Sequence, residues 1–401
     1  MSQHILILSP NYSPEQGACA SRIRFMAQGL SEAGFTVEIL TTMPNYPQGK
    51  IFKNYTKQFY IRELDNRVEV KRYLSYPSHS PHLFPRLVSM ISLSFVVLLS
   101  VFQQRNKPNI IIAQSPPLLL GLSAYLLSKW HHADFIFNIS DLWPRALLDL
   151  GAVKRGFLYQ VALQVERFLY QKAKLCIGQS EEILHYIKEV SPQIPTFLYR
   201  TGVDCHLFLP KKINETTRTM PLKIVYAGLL GVAQGILSIC KSINFKDLNA
   251  ELHIYGEGYE RDALVSFVHA NPHLGVFIHP AVVQQEIPAI LQRHDVALVT
   301  QKQVVFGTVP SKIYEAMAVG LPILFCGGGE GANIIETHQI GLVSTPNDFD
   351  ALRKNIVQIG NLPTEELYKI KESGSKLAHN EFDRNKLIQA LIARINNEYN
   401  P

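Results

Sequence analysis

Short apolar, β-branched runs alternate with amphipathic stretches from the first residues onward. Residues 4–9 read as a strand, 22–33 as a helix ended at Gly34, and 36–42 as a second strand, which predicts a βαβ opening. Further strands are expected at 109–114, 134–139, 175–178 and 196–199, each set off by helical pattern or a Pro/Gly break. The alternation restarts after 211–221, KKINETTRTMP, a polar, Pro-bounded stretch that is the best linker candidate. Beyond it strands are expected at 223–227, 251–255, 276–279, 295–300, 322–326 and 341–344, with helices between them. Two proline-free helices close the pattern at about 364–379 and 384–399. The simplest architecture is two doubly wound α/β domains, 1–205 and 206–380, with 381–401 a helix packing near or back on the first.

One stretch stands apart from this alternation. Residues 87–104 carry no charge, and LVSMISLSFVVLLSVF, 87–102, approaches bilayer thickness as a helix. A true span would place sequential strands of one sheet on opposite sides of a membrane, so the segment is either a core helix or a helix lying in the membrane plane. Just upstream, Lys50, Lys53, Lys57, Arg62, Arg67, Lys71 and Arg72 outnumber Glu63, Asp65 and Glu69. They form either a contact for anionic lipid or a plain solvated basic face.

Composition adds little that the pattern does not already require. The 401 residues are 47% hydrophobic and 18% charged, enough apolar material for two cores and unlike a disordered chain. A net charge of +6 suits a phosphate-bearing ligand or an anionic surface but selects neither, and no nucleic-acid partner is expected. Five cysteines, Cys19, Cys176, Cys205, Cys240 and Cys326, lack paired spacing, and none of the 14 histidines falls in a metal-ligand motif. Neither a disulfide framework nor a metal site is indicated. The opening MSQHILILSP has no basic n-region and too short an apolar run for a secretory leader, so a cytoplasmic location is expected.

Candidate chemistry lies at the strand ends. In SPNYSPEQGACASR, Gly17 precedes a helix start, where backbone N–H groups favour phosphate; a plain tight turn is the alternative. YAGLLGVAQG carries Gly228, Gly231 and Gly235 after one strand, and YGEGYE carries Gly256 and Gly258 after the next. Such turns at carboxyl ends of strands suit a nucleotide crevice, or serve the turns alone. In VVFGTVPSKIYEAMAVGLPILFCGGGEGANIIE, Pro310 and Ser311 mark a helix start with Ser311 as a cap, and Lys312 adds positive charge there. Glu315 lies one turn beyond Ser311 on the same face, where a carboxylate can accept from two ribose hydroxyls. Asp141, in NISDLWP, can act on an acceptor hydroxyl as base or hydrogen-bond partner, or cap the turn ahead of Pro144.

This last long segment resembles the donor-site signature of the retaining GT-B glycosyltransferases of family 4, and the resemblance covers essentially the whole chain. NYSPEQGACASR, MPNYPQG, SPPLLLG, SDLWP and RTGVDCHLFLP are also similar to the fucosamine-transferase-like branch that assembles bacterial surface polysaccharides. The resemblance implies a GT-B fold, two doubly wound Rossmann-like domains facing a central cleft. It assigns Glu315 to the donor ribose, Ser311 and Lys312 to the donor phosphates, and Gly17 to the cleft-facing turn of the first domain. Gly228, Gln234, Gly235, Gly256, Gly258 and Val282 complete the donor candidates, and Asp141 and Lys312 are the catalytic ones. Three positions depart from the family pattern. Gly307 stands where many members carry a first Glu, and Leu229 and Gln234 replace the usual phosphate-binding Arg and Lys.

The implied activity moves a sugar, with retention, from a UDP-sugar donor, an N-acetylated amino sugar by the branch, to a lipid-linked saccharide at the inner face of the cell membrane. No metal is implied, since Lys312 and helix N–H groups supply positive charge to the leaving diphosphate. The competing readings are a UDP-sugar 2-epimerase on a related scaffold, and a membrane-associated scaffold without catalysis, the latter prompted by Gly307, Leu229 and Gln234.

Overall fold

The structure, a computed structural model, describes residues 3–15, 17–46, 48–78, 83–100, 107–149, 151, 153–210 and 220–399. Two compact units divide the chain: Met1–Thr201 with Ile388–Pro401, and Gly202–Leu387. The linker candidate at 211–221 lies outside the described residues over 211–219.

Unit 1 begins β1 (His4–Leu8), α1 (Ala18–Glu32), β2 (Thr36–Thr42), β3 (Tyr60–Asp65), β4 (Val68–Tyr73) and α2 (Leu83–Leu99). It continues β5 (Ile110–Ser115), α3 (Leu118–His131), β6 (Asp134–Ile139), α4 (Arg145–Asp149), α5 (Phe157–Lys172), β7 (Leu175–Gly178), α6 (Glu181–Val190) and β8 (Thr196–Leu198). These strands form one eight-stranded sheet in the order β3-β4-β2-β1-β5-β6-β7-β8. All pairings are parallel except β3 with β4. Every residue of β1 and of β5 is buried, as central parallel strands covered on both faces require.

The β3–β4 hairpin is absent from the sequence expectation, which took this stretch for a basic surface. Its inner charges, Lys71 and Arg72, are paired across the sheet, while Arg62 and Arg67 stay exposed. Lys71 Nζ lies 2.8 Å from Glu38 on β2, and Arg72 Nε 2.8 Å from Glu63 on β3. Arg72 is 1% exposed and also donates to the Ser13 carbonyl, so neither it nor Lys71 belongs to a lipid-facing patch. Asn66 makes the turn between the strands in the left-handed region, which Asn tolerates.

Helix α2 spans most of the uncharged segment; residues 101–102 of that expectation lie outside the described residues. Leu93 and Val97 are buried, and the Ser123 hydroxyl of α3 donates to the Ser94 carbonyl. On the other face Phe84, Leu87, Ile91, Phe95 and Leu99 are exposed at three- and four-residue spacing, one continuous apolar stripe. Among the described residues no helix is long and apolar enough to cross a membrane.

Unit 2 runs β9 (Leu222–Ala227), α7 (Ile236–Ser242), β10 (Ala250–Tyr255), α8 (Arg261–Ala270), β11 (Val276–His279), α9 (Ile287–Gln292) and β12 (Val296–Thr300). There follow α10 (Ser311–Ala318), β13 (Ile323–Cys326), α11 (Glu330–Thr337), β14 (Gly341–Ser344), α12 (Phe349–Gly360) and α13 (Thr364–Glu381). Its six-stranded parallel sheet has the order β11-β10-β9-β12-β13-β14, with an apolar core on each face. Alternate residues of β9 serve the two cores, Val225 one and Ile224 and Tyr226 the other. The last helix, α14 (Arg384–Tyr399), returns to unit 1 from Ile388 onward. A Cβ on Gly29 of α1 would stand 2.5 Å from Ile388 Cγ1, so the absence of a side chain there admits α14.

Candidate functional site

In unit 2 the turn after β9 is fixed before any ligand is considered. Gly228 N–H donates to the Tyr255 carbonyl and Leu230 N–H to that of Glu257, both at 2.8 Å. Thr300 Oγ1 donates to the Gln234 carbonyl at 2.6 Å, and Lys302 N–H to that of Ala233 at 2.8 Å. Gly235 turns in the left-handed region at φ 68° to start α7. Gly256 and Gly258 do different work from Gly235. A Cβ on Gly256 would meet the Gly228 carbonyl, and one on Gly258 would stand 2.5 Å from the Leu230 carbonyl, so these glycines let two turns pack backbone to backbone. Gln234 Oε1 is buried without a hydrogen-bond partner. Val282 packs on the core beneath α10.

Helix α10 starts at Ser311 with Pro310 as its N-cap, and no side chain caps it. This corrects the expected Ser311 cap: the residue is the first of the helix, and while the Ile313 N–H donates to the Pro310 carbonyl at 3.1 Å, those of Ser311 and Lys312 have no side-chain cap. Tyr314 anchors the helix by stacking on Phe382, centroids 4.9 Å apart. Lys312 and Glu315 share the half-buried face that the core residues Ile313, Tyr314, Ala316 and Met317 leave open.

Lys312 lies directly over Gly228. A Cβ there would overlap its terminal methylene, and its Nζ stands 5.7 Å from the centroid of the Tyr226 ring. Tyr226 is itself held by its hydroxyl donating to the Leu229 carbonyl at 2.6 Å. Burial holds the Lys312 ammonium below its ordinary value, an effect Glu315 opposes. Burial pushes the Glu315 carboxyl up, with Lys312 and Arg384 pulling it back. The face thus joins a fixed cation, a carboxylate one turn away, and uncapped helix N–H groups.

In unit 1, Gly17 is the N-cap of α1, which begins four residues before the expected Arg22, in the small-residue run ACAS. Its backbone is extended (φ 164°), and a Cβ would come 3.0 Å from the Tyr46 ring. The buried Glu15 carboxylate holds this turn, accepting from the N–H groups of Tyr12, Asn45 and Tyr46 at 3.0, 2.8 and 2.9 Å. Asp141 follows β6, directly after Ser140. The sequence reading passed over Arg22, Gln114, Ser140 and Gln179, which make one hydrogen-bonded cluster at the ends of β5, β6 and β7. Gln114 and Asn138 were the available signal, since polar residues in otherwise apolar strands must find partners. Among the described residues no group of three or more His, Cys, Asp or Glu is placed to hold a metal ion.

Known proteins resemble the chain in sequence and in fold. Residues 17–193 match the family described as Glycosyl transferase 4-like domain, and residues 221–361 that described as Glycosyl transferases group 1. Fold and matches together are those of family 4-like GT-B glycosyltransferases, each half of the chain matching one of the two domain families. Among individual proteins it is similar to WcaI of Escherichia coli strain K12, assigned as a colanic acid biosynthesis glycosyl transferase, at 27% identity over 79% of this chain and 81% of WcaI. In structure it is similar to sucrose-phosphate synthase of Thermosynechococcus elongatus, with a TM-score of 0.77 and 16% identity over 99% of each chain. HepE of Anabaena in complex with UDP gives a TM-score of 0.69 and 14% identity over 99% of this chain and 100% of that one.

Proposed function

We propose that the protein transfers a sugar, an N-acetylated amino sugar by the branch it resembles, from a UDP-sugar to a lipid-linked saccharide in surface polysaccharide synthesis, with retention of configuration. The observation that carries the reading is Lys312 laid over Gly228, with Glu315 on the same helix face one turn on. Glu315 accepts from the ribose hydroxyls; Lys312 and the N–H groups of Ser311 and Lys312 at the start of α10 meet the diphosphate, helped by the backbone around Gly235, since the Gly228 and Gln234 N–H groups are committed to the Tyr255 and Gly231 carbonyls. As the glycosidic bond breaks, negative charge gathers on UDP, and a cation already in place stabilises it without reorganising. Asp141 in unit 1 serves the acceptor hydroxyl. The structures of HepE with UDP and the assignment of WcaI to colanic acid synthesis support the donor class and the pathway class.

The test is incubation of purified protein with UDP-sugars, with and without membrane lipid extract and with excess chelator, while UDP and sugar isomers are followed. Acceptor-dependent UDP release that survives chelation is expected. Isomerised donor without acceptor identifies an epimerase instead, and donor binding without either reaction a scaffold.

The exposed stripe of α2 supports peripheral contact with the cytoplasmic membrane face, its apolar side chains entering the lipid interface. Ile91→Glu with Phe95→Glu, both at exposed positions, is expected to abolish flotation with anionic vesicles while leaving the melting temperature unchanged. Flotation retained by the double variant removes α2 from the contact.

A further inference from the structure

Arg22 is 4% exposed, yet every hydrogen-bond partner of its guanidinium shown here is neutral. One terminal nitrogen donates to Gln179 Oε1 at 3.0 Å; the other donates to Gln114 Oε1 at 2.8 Å and to Ser140 Oγ. A buried cation without a bonded anion is costly, and apolar packing fills space at lower cost. Burial accordingly lowers the pKa of Arg22, and Cys19, Tyr199 and Asp141 oppose that effect.

The acceptors share one target. Ser140 N–H donates to the Ser115 carbonyl at 2.9 Å, its carbonyl accepts from Gln179 Nε2, and its hydroxyl lies between Arg22 and Gln114 Nε2. Gln114 is braced in turn by Asn138 Nδ2 at 2.8 Å and by its own bond to the Ser115 carbonyl at 2.7 Å. Ser140 is therefore held through its N–H, carbonyl and hydroxyl, and the next residue is Asp141. Such over-determination of a strand-end residue serves the group it aims.

We infer that Arg22 is a positioning residue for Asp141: by fixing Ser140 it sets the direction of the carboxylate that follows. The inference rests on the reading of Asp141 as the group that takes the acceptor hydroxyl's hydrogen bond or proton. Cys19 of α1 and Tyr199 after β8 also bear on Arg22, and Glu15 of the turn before α1 bears on Cys19 in turn. A carboxylate that loses a neighbouring cation titrates higher, so the acid side of the activity profile moves up in pH.

The experiment compares Arg22→Gln, Arg22→Lys and Asp141→Asn in acceptor-dependent transfer across pH, with UDP affinity and thermal melting on each. For Arg22→Gln the acid limb of kcat/KM for the acceptor is expected to rise by about one pH unit. Its kcat is expected to fall at least tenfold, with UDP affinity unchanged. For Arg22→Lys the limb stays in place while kcat falls at least tenfold, because an ammonium cannot reproduce the fork. An inactive Asp141→Asn beside an Arg22→Gln with the wild-type limb and turnover overturns the role of Arg22 alone. A fully active Asp141→Asn overturns the reading of Asp141 and the inference with it. If Arg22→Gln does not fold, Arg22→Lys decides: undiminished kcat overturns the inference.

Discussion

The two units bury charge in opposite ways. In unit 1, Arg22 is gripped by Gln114, Ser140 and Gln179, and Glu166 accepts from the hydroxyls of Tyr170 and Tyr186 at 2.7 and 3.0 Å. In unit 2, Lys312 is placed by packing on Gly228 and Tyr226, with Glu315 across one helical turn. A guanidinium whose donors are committed to protein oxygens is a structural cation with a fixed direction. An ammonium located by van der Waals contact keeps its donors for something else. On the proposed roles, the difference separates a group that aims another from one that awaits a ligand.

The sharpest way to break the comparison is Lys312→Ala. Turnover is expected to drop ~100-fold, about 2.7 kcal/mol, with a smaller loss of UDP affinity, because attraction grows as charge builds on the leaving group. Steady-state kinetics beside calorimetric UDP binding separates the two, and a rate within about twofold of wild type sinks the proposed role. Glu315→Gln is expected next, weakening UDP binding by ~1–3 kcal/mol while the fold is retained. Unchanged affinity removes Glu315 from the site.

Gly228→Ala sharpens the claim that packing alone places the cation. The new methyl overlaps the Lys312 side chain and strains a backbone at φ 155°, so turnover is expected to fall about tenfold by displacing the ammonium. Restored turnover in Gly228→Ala combined with Lys312→Arg, whose guanidinium reaches further, fits that account; a normal rate in Gly228→Ala contradicts it.

The smallest effect tests unit 1. Burial pushes the Glu166 carboxyl up to about 7, and its two tyrosine hydrogen bonds offset only part of that. The folded state therefore keeps a proton that the unfolded chain releases near its ordinary value. Stability is greatest below that value, declines as pH rises to about 7, and is level above. Glu166→Gln is expected to flatten this slope and to raise stability at pH 8 by ~1–3 kcal/mol, read by denaturant melts at pH 5 and pH 8. An unaltered slope assigns the pH dependence to another group.

The central strands were legible because parallel strands covered on both faces carry unbroken apolar runs, as residues 5–8 and 110–113 are. The β3–β4 hairpin was not, because its residues read as a charged surface until Lys71 meets Glu38 and Arg72 meets Glu63. Lys312 and Glu315 could be placed together from sequence, since one helix fixes their spacing. Arg22 could not: its partners lie 92, 118 and 157 positions away, on three separate strand ends. Local periodicity carries no information about such pairings. Ser311 shows the opposite failure, a favourable capping residue that sits one position inside the helix it was expected to cap.

The return of α14 to unit 1 has a consequence for synthesis. Unit 2 is contiguous from Gly202 to Leu387, whereas unit 1 is interrupted by it and takes up the chain again at Ile388. On a ribosome, unit 2 is synthesised before the part of the last helix that packs against Gly29. The first 201 residues must therefore wait, with the α14 contact on α1 uncovered, while a complete second unit is made behind them. Order of manufacture and order of assembly are thus inverted: the half begun first is finished last.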